Sequence, residues 1–476
     1  ARITITNKST GQTVELVTSS AGAYNSGALI PGEYSVRVEA PGFKAAEINV
    51  RVQVGVVTPG NIQLQVGAAT AVVEVRGEPV LVNTEQQTVS TVIASDYVAN
   101  LPFNGRNFLN LAQLAPGVQI QDAGNFMPTK VGFSSISFGG RWGQTARIEV
   151  DGIDISDEFF GTTTQDIPAN AISEFQLGQS SLDLSTGLTS SGAVNVVTKS
   201  GGNEFHGDAF VLARFHNTAA RIGRRDQFFR RVHYGGQAGG PLIRDKLFFF
   251  ASYEHPRQDL FTPVELNPPF SALSGGFNTP VREHAGVARL DWQIKTNYRL
   301  FARFSYNQND VTTAVQNTYQ PFRNVSQATV YAGGLDFNTG TYTHSVRVGY
   351  TRNRIDLLDA VRASKAFDPA PGISVVIGNS PVCGPGPANL FCSGPSFIAP
   401  QLERQRNLQT KYDGSKVIGS HIIRYGVNFT RIRSVAVASL IGAAPSVFSV
   451  FNPMTVSLAA AGPFPGGSSN PLNYPV

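Results

Sequence analysis

Beyond Phe205 the chain follows a period of two. In AGVARLDWQI, Gly286, Ala288, Leu290, Trp292 and Ile294 fall on one face, and Val287, Arg289, Asp291 and Gln293 on the other. In NYRLFARFSYNQ, Tyr298, Leu300, Ala302, Phe304 and Tyr306 oppose Arg299, Arg303, Ser305 and Asn307. The split recurs with Tyr342, Val346, Val348 and Tyr350 against Thr343, Ser345, Arg347 and Thr351, and with Ile423, Tyr425, Val427 and Phe429 against Arg424, Asn428 and Thr430. A soluble sandwich has the same period. These runs, however, reach about ten residues or more, longer than ordinary globular strands. Their polar faces carry arginine, which is costly to bury, and their apolar faces carry rings near the ends. That combination predicts strands with one face to lipid and the other to a lumen.

The preceding residues predict other elements. Residues 1–66 alternate over short runs: Tyr34, Val36 and Val38 oppose Ser35, Arg37 and Glu39, and APGF supplies a turn, the pattern of a small antiparallel β-sandwich. Residues 67–80 are a small-residue linker leading to a short extended patch around Val72, Val73 and Val75. Residues 81–204 mix signals and predict a compact α+β unit. Two short helices are expected at SDYVANLP, with Ser95 as N-cap, and at GRNFLNLAQLAPGV, where Leu109, Leu111 and Leu114 precede a Pro116-Gly117 stop. ARIEVDGIDI then reads as strand, Asp-Gly turn, strand. The last apolar run of this unit, Val194 to Lys199, passes through Ser200–Asn203 into the first alternating strand of the 205–476 segment.

Composition agrees with a mainly β chain. Of 476 residues only 15% are charged, against 48 Gly, 28 Pro, 31 Phe and 14 Tyr. The net charge of +5 is spread along strand-like segments instead of clustered, which argues against a nucleic-acid partner. No run of about 18 apolar residues exists for a transmembrane helix, and a mean hydropathy of -0.07 is what alternating wall strands average to. Ala1 carries no signal-peptide features and ARITITN already reads as a strand, so the chain is expected to begin inside a domain. Cys383 and Cys392 flank a short Gly/Pro-rich loop; they form a disulfide in an oxidising compartment or remain idle thiols.

Three ordered blocks carry a family resemblance: LPFNGRNFLNLAQLAPGV (101–118); FGGRWGQTARIEVDGIDISD (138–157) with AVNVVTKSGGNEFHGDAF (193–210); and YGGQAGGPLIRDKLFFFASYEH (234–255). Together they resemble a TonB-dependent outer-membrane transporter of the Oar-like type. SAGAYNSGALIPGEYSVRVEAPGFKAAEINVRVQVG, in the first segment, resembles the carboxypeptidase-regulatory-like domain that this type places ahead of a plug and a barrel. The resemblance implies a bacterial outer-membrane location with the 1–66 domain in the periplasm, a plug over 81–204, and a partial antiparallel transmembrane barrel over 205–476. Barrels with plugged lumens have about 22 strands, so the sequence reads as part of a longer protein with about nine wall strands.

The implied partners are TonB, outer-membrane lipid and an unidentified extracellular substrate, with plug gating powered by the proton-motive force. An outer-membrane-anchored adhesion protein and a protein-export channel are the alternatives. By position the TonB box is Ala71, Val72, Val73, Glu74, Val75 and Arg76, an extended segment suited to strand addition or else an ordinary last strand of the preceding domain. Arg106 and Arg141 occupy the plug motifs, where they either pair with the wall or satisfy local turn carbonyls. Asp151, Asp154, Asp157 and Glu158 do not have EF-hand spacing, and the seven dispersed His residues form no metal motif. No GxSxG elbow, P-loop or dinucleotide fingerprint is present, so a non-enzyme without cofactors is expected.

Overall fold

The computed structural model describes residues 1–67, 72–74, 89–94, 97–98, 106–122, 124, 130–180, 186–187, 189–218, 228–315, 317–381, 383, 389–439 and 442–475, with backbone only at 72–74 and 180. Ser95, the expected N-cap, lies outside them, as do Ala71, Val75 and Arg76.

The N-terminal sheet holds β1 (Arg2–Asn7), β2 (Thr13–Val17), β3 (Gly32–Glu39), β4 (Ala45–Val52) and β5 (Val72–Glu74) in the order β2-β1-β3-β4-β5. Alternation sends Ile3, Ile5, Tyr34, Val36 and Val38 into one core, covered on its far side by extended chain bearing Tyr24, Leu29, Ile62 and Leu64. The expected TonB-box segment is not free at its centre: Val72–Glu74 pair in parallel with Ala45–Glu47 along the sheet edge.

The next unit contains β6 (Val89–Ala94), β7 (Val118–Asp122), β8 (Ser134–Phe138), β9 (Arg147–Val150), β10 (Ile153–Asp154), β11 (Ile172–Ser180) and β12 (Ala193–Thr198). Five of these form the sheet β10-β9-β12-β11-β6, and β7 pairs with β8. The helix expected within GRNFLNLAQLAPGV is a seven-residue 3-10 helix, Phe108–Leu114; the Asn107 side chain accepts from Leu109 N at its start, and Pro116-Gly117 leaves no room to continue. Phe108, Phe175, Leu177, Ile148, Val194 and Val196 pack in its core, which Phe250 and Val287 of the following sheet complete.

That sheet has nine long strands. They are β13 (His206–Phe215), β14 (Phe229–Ile243), β15 (Leu247–Val264), β17 (Val281–Lys295), β18 (Tyr298–Ala314), β19 (Pro321–Thr339), β20 (Tyr342–Asp359), β23 (Gln401–Ile418) and β24 (His421–Ala438), each antiparallel to the next, with β13 and β24 at the edges. The short β16 (Gly275–Asn278) pairs with β15, while β21 (Ser374–Gly378), β22 (Asn389–Ser393) and β25 (Ser446–Val450) make a separate small sheet. Within that small sheet's surroundings Cys383 and Cys392 are joined by a disulfide.

Connections at one end of the wall are tight turns at 244–246, 296–297, 340–341 and 419–420, and at the other they include the long segments 265–280 and 360–400. Short periplasmic turns and long extracellular loops are the rule for bacterial outer-membrane barrels, which fixes the orientation. Rings mark both margins of the outward face. Near the tight turns Tyr298, Phe337, His344, Tyr412 and Tyr425 contact one another in a ladder across five strands. Tyr306, Phe304, Tyr331 and Tyr350 lie toward the other end, eight residues beyond Tyr298 in the case of Tyr306. Eight residues span roughly 27 Å along a strand, or about 21 Å after tilting, close to the apolar band of such a barrel.

The N-terminal domain sits under the tight turns. Glu15 N donates to Asn297 Oδ1 at 2.6 Å, Ser19 Oγ to the Gly419 carbonyl at 2.7 Å, and Asn338 Nδ2 to the Ser26 carbonyl at 3.1 Å. The plug core, by contrast, is apolar and built mainly from the plug's own residues, so it should melt without the wall. Phe175→Ala removes a fully buried ring, expected to cost about 3–5 kcal/mol. In the full-length protein, hydrogen exchange should accelerate in β6, β11 and β12 and stay unchanged in β17–β20; uniform acceleration would show that the two are one cooperative unit.

Candidate functional site

The wall's inward face is polar, and the plug meets it with charge. At the tip of the β9–β10 hairpin Asp151 and Gly152 both take positive φ, 50° and 78°, the geometry of a tight Asp-Gly turn. This turn drives the Asp151 carboxylate into the wall. Its Oδ1 accepts from Arg289 at 2.9 Å and its Oδ2 from Arg303 at 2.8 Å, while Thr198 donates to it through N and Oγ1 at 2.9 and 2.8 Å. Burial alone would raise this carboxyl, but Arg289, Arg303 and Thr198 outweigh it and hold the group below its ordinary value. Arg289 is further clamped by both oxygens of Asp291 at 2.8 Å. Arg303 is less well served: its Nε and Nη2 are buried with no hydrogen-bond partner among the described residues.

Four more contacts flank this one. Fully buried Lys130 of the plug pairs with Asp157 of the plug and with Glu403 of the wall, the latter at 3.1 Å. Nearby, the Gln409 amide clasps the Asp154 backbone, accepting from its N at 3.0 Å and donating to its O at 2.7 Å. On the opposite flank Arg106 reaches Glu254 at 3.2 and 3.3 Å and also contacts Asn170; His233 Nε2 lies 2.9 Å from the same carboxylate. Asp166 of the plug is buried against Glu283 of the wall, and burial first, then the Glu283 charge, raises its carboxyl well above the ordinary value.

The residues singled out from the sequence therefore divide. Arg106 meets the wall, whereas Arg141 is exposed and donates to the Ser190 carbonyl inside the plug at 2.7 Å. Of the four acidic residues in DGIDISDEFF, Asp151, Asp154 and Asp157 pair with Arg289 and Arg303, with Arg147 and with Lys130, and no metal-binding cluster occurs among the described residues. Sequence reasoning missed Lys130, Glu254, Glu283, Glu403 and Gln409. For Glu254, Glu283 and Glu403 the available signal was a charge on the inward face of a wall strand, with a partner not encoded locally; Lys130, in the plug, and the uncharged Gln409 offered no such signal.

Replacing Asp151 with Asn leaves two buried guanidiniums short of a carboxylate, a change expected to cost about 3–5 kcal/mol. The β9–β10 amides of the full-length protein should exchange correspondingly faster, and unchanged protection would rule out this contact as a latch. The wild-type contribution of a depressed carboxyl is complete above its unfolded pKa and fades as pH falls through the folded value, so this latch weakens only in acid. Asp166 has the opposite sign. Its raised carboxyl favours the folded form at low pH, and that contribution is lost as pH rises, so Asp166→Asn should give a plug relatively better protected than wild type in alkali.

The outer membrane beta barrel domain model matches residues 197–280 and 262–449, over half of the chain, and the carboxypeptidase regulatory-like domain model matches residues 1–65. The TonB-dependent transporter Oar of Myxococcus xanthus is 25% identical over 257 residues, covering 50% of this chain and 23% of that protein. Among solved structures, the outer membrane transporter YddB of Escherichia coli superposes with a TM-score of 0.54 at 11% identity, covering 73% of this chain and 48% of that one. The siderophore receptor PirA of Acinetobacter baumannii gives 0.51 at 14% identity, covering 72% and 48%. At such identities the two structures establish the fold alone. The chain spans under a quarter of the Myxococcus relative and about half of the two solved chains. With these matches and a lipid-facing wall around an inserted plug, the chain belongs to the outer membrane β-barrel family, in the Oar-like, TonB-dependent receptor arrangement.

Proposed function

We propose that the protein moves an extracellular solute across the outer membrane, with TonB drawing on the segment Ala71–Arg76 to shift the plug. It acts as a gated conduit and performs no chemistry on its cargo. The observation that carries this reading is the character of the plug and wall interface. A permanent stopper would be welded to its wall by apolar packing alone. Here apolar contacts, of Phe250 and Val287 on the plug core and of Ile153 on Val330 and Ala332, are joined by buried ion pairs and amide clasps, and Arg303 has two nitrogens without a partner among the described residues even in the closed arrangement. Leaving such donors unpaired costs about 1–3 kcal/mol, which lowers the cost of exchanging them for water or cargo. The neighbouring Asp166 and Glu283 carboxyls likewise repel once both ionise.

The position of β5 supplies the input. Strand addition draws its strength from main-chain hydrogen bonds, and in the resting form β4 occupies one edge of Val72–Glu74, which stands last in its sheet with no further strand paired to it among the described residues. A periplasmic strand can therefore add to the outer edge of this segment or take the place of β4. Three residues of pairing is a small hold, so the exchange is cheap. The 1–66 domain then serves as a parking place that keeps the segment from pairing with the wrong edge.

Deleting residues 71–76 from the full-length protein tests this. Binding of the isolated periplasmic domain of TonB should disappear, together with growth on any nutrient whose use depends on the protein, while insertion into the outer membrane is retained. TonB binding that survives the deletion refutes the assignment of the segment. Surface binding without any TonB-dependent uptake in the wild type would instead favour an anchored adhesion protein.

A further inference from the structure

The outward face of β20, β23 and β24 carries a second feature that transport does not use. Inward and outward are fixed here by the plug: Glu403 and Gln409 contact it, so Arg404, Arg406 and Leu408 point away. The pairing register then aligns Arg352 with Arg406, and Arg406 with Arg433, in one row across three strands. One row further out Arg354 faces Arg404, and one row inward Leu408 faces Arg431. Direct neighbours in such a row are about 5 Å apart, and like charges placed opposite one another destabilise a sheet.

Carboxylates do not relieve this crowding. Asp356 pairs with Arg354 at 2.6 Å and with Arg404 at 2.5 Å, but Arg352, Arg406, Arg431 and Arg433 have no carboxylate within ion-pairing distance among the described residues. Elsewhere on the wall three outer arginines are matched. Arg323 meets Asp310 at 2.5 Å, and Arg257 and Arg282 share Asp259 at 3.4 and 3.7 Å. Among the described residues the patch thus holds six guanidiniums against one carboxylate, and all but Arg404 of the six are exposed.

Its depth identifies what it meets. Tyr331 pairs with Tyr350 across β19 and β20, and the Arg352 row is the next outward-facing row toward the long loops. The pairing register also sets it level with Thr329 and Tyr306, so the row lies at the ring margin of the apolar band. Groups at this level face lipid headgroups of the outer leaflet, not the lumen and not bulk solvent. Guanidinium forks match phosphate oxygens bidentately, and a row of three spanning about 10 Å can hold more than one phosphate.

We propose that Arg352, Arg406 and Arg433, supported by Arg354, Arg404 and Arg431, form a binding site for the phosphorylated sugar headgroup of an outer-leaflet glycolipid. The lipid neutralises the row, and its acyl chains run down over Val427, Phe429 and Leu408, which are exposed on the same outward face.

The test uses the full-length protein in detergent, titrated with bis-phosphorylated lipid A or with the same lipid stripped of phosphate, and read by native mass spectrometry. The phosphorylated form should be retained at least tenfold more tightly. The variant R352Q/R406Q/R433Q should lose that preference, while R257Q/R282Q keeps it. Equal retention of the two lipids by the wild type overturns the proposal, as does a triple variant that still discriminates. Displacement by millimolar inorganic phosphate would show a free-anion site and also overturns it. Should the triple variant fail the heat-dependent gel shift of a folded barrel, the single change R406Q and the wild-type lipid comparison decide the matter alone.

Discussion

Hydrocarbon offers no partner for a peptide group, and every other property of this molecule follows from that constraint. Each wall strand must spend its N–H and C=O groups on its neighbours, which leaves only side-chain direction free to differ between the two faces. One face then becomes apolar with rings at its margins. The other collects what lipid rejects: Arg289, Asp291, Arg303, Asp336, Glu254, Glu283 and Glu403 are all buried or nearly so on the inward side. Those charges are tolerable only because something polar fills the space beside them.

The plug is therefore shaped by the wall's chemistry as much as by its own core. Its interior is conventional, with Phe108, Phe175 and Leu177 packed among β-branched residues. Its surface supplies Asp151, Asp154, Asp157, Asp166, Lys130 and Arg106 where the wall requires counter-charges. An interface made this way is specific without being adhesive, since exchanging ion pairs for water costs far less than opening an apolar core. The same logic operates on the outside. Where the apolar band ends, arginines gather in a register that the sheet alone does not stabilise, which points to an anionic neighbour in the membrane itself.

Much of the architecture was legible from local pattern. The alternation over 285–306 and 342–351, the Asp151-Gly152 turn and the change of strand type at Ser200–Asn203 each depend on neighbours within a few residues, and each appears where the pattern places it. The site was legible only by half. Inward charges announced themselves, but Lys130 finds Glu403 across 273 positions and Asp151 finds Arg303 across 152, distances that only the folded barrel closes. Asp151 reads as a turn residue because the turn is local, and its second role as an ion-pair partner is not. Arg106 and Arg141 look equivalent as motif arginines and diverge because Glu254 happens to face one of them. The edge occupied by Val72–Glu74 was equally hidden, since an extended Val-rich segment has the same sequence whether free or paired.

The central claim is that the plug lies within the wall, with its hairpin tip against the inward face of β20. Adding a Cβ to Gly349 would bring it 2.5 Å from the Ile153 side chain, so this pair reports the arrangement directly. In outer-membrane vesicles carrying the full-length protein, Ile153→Cys combined with Gly349→Cys should crosslink under mild oxidation, and Ile153→Cys with Val348→Cys, which faces lipid, should not. Crosslinking in neither pair, or in both alike, would contradict the account.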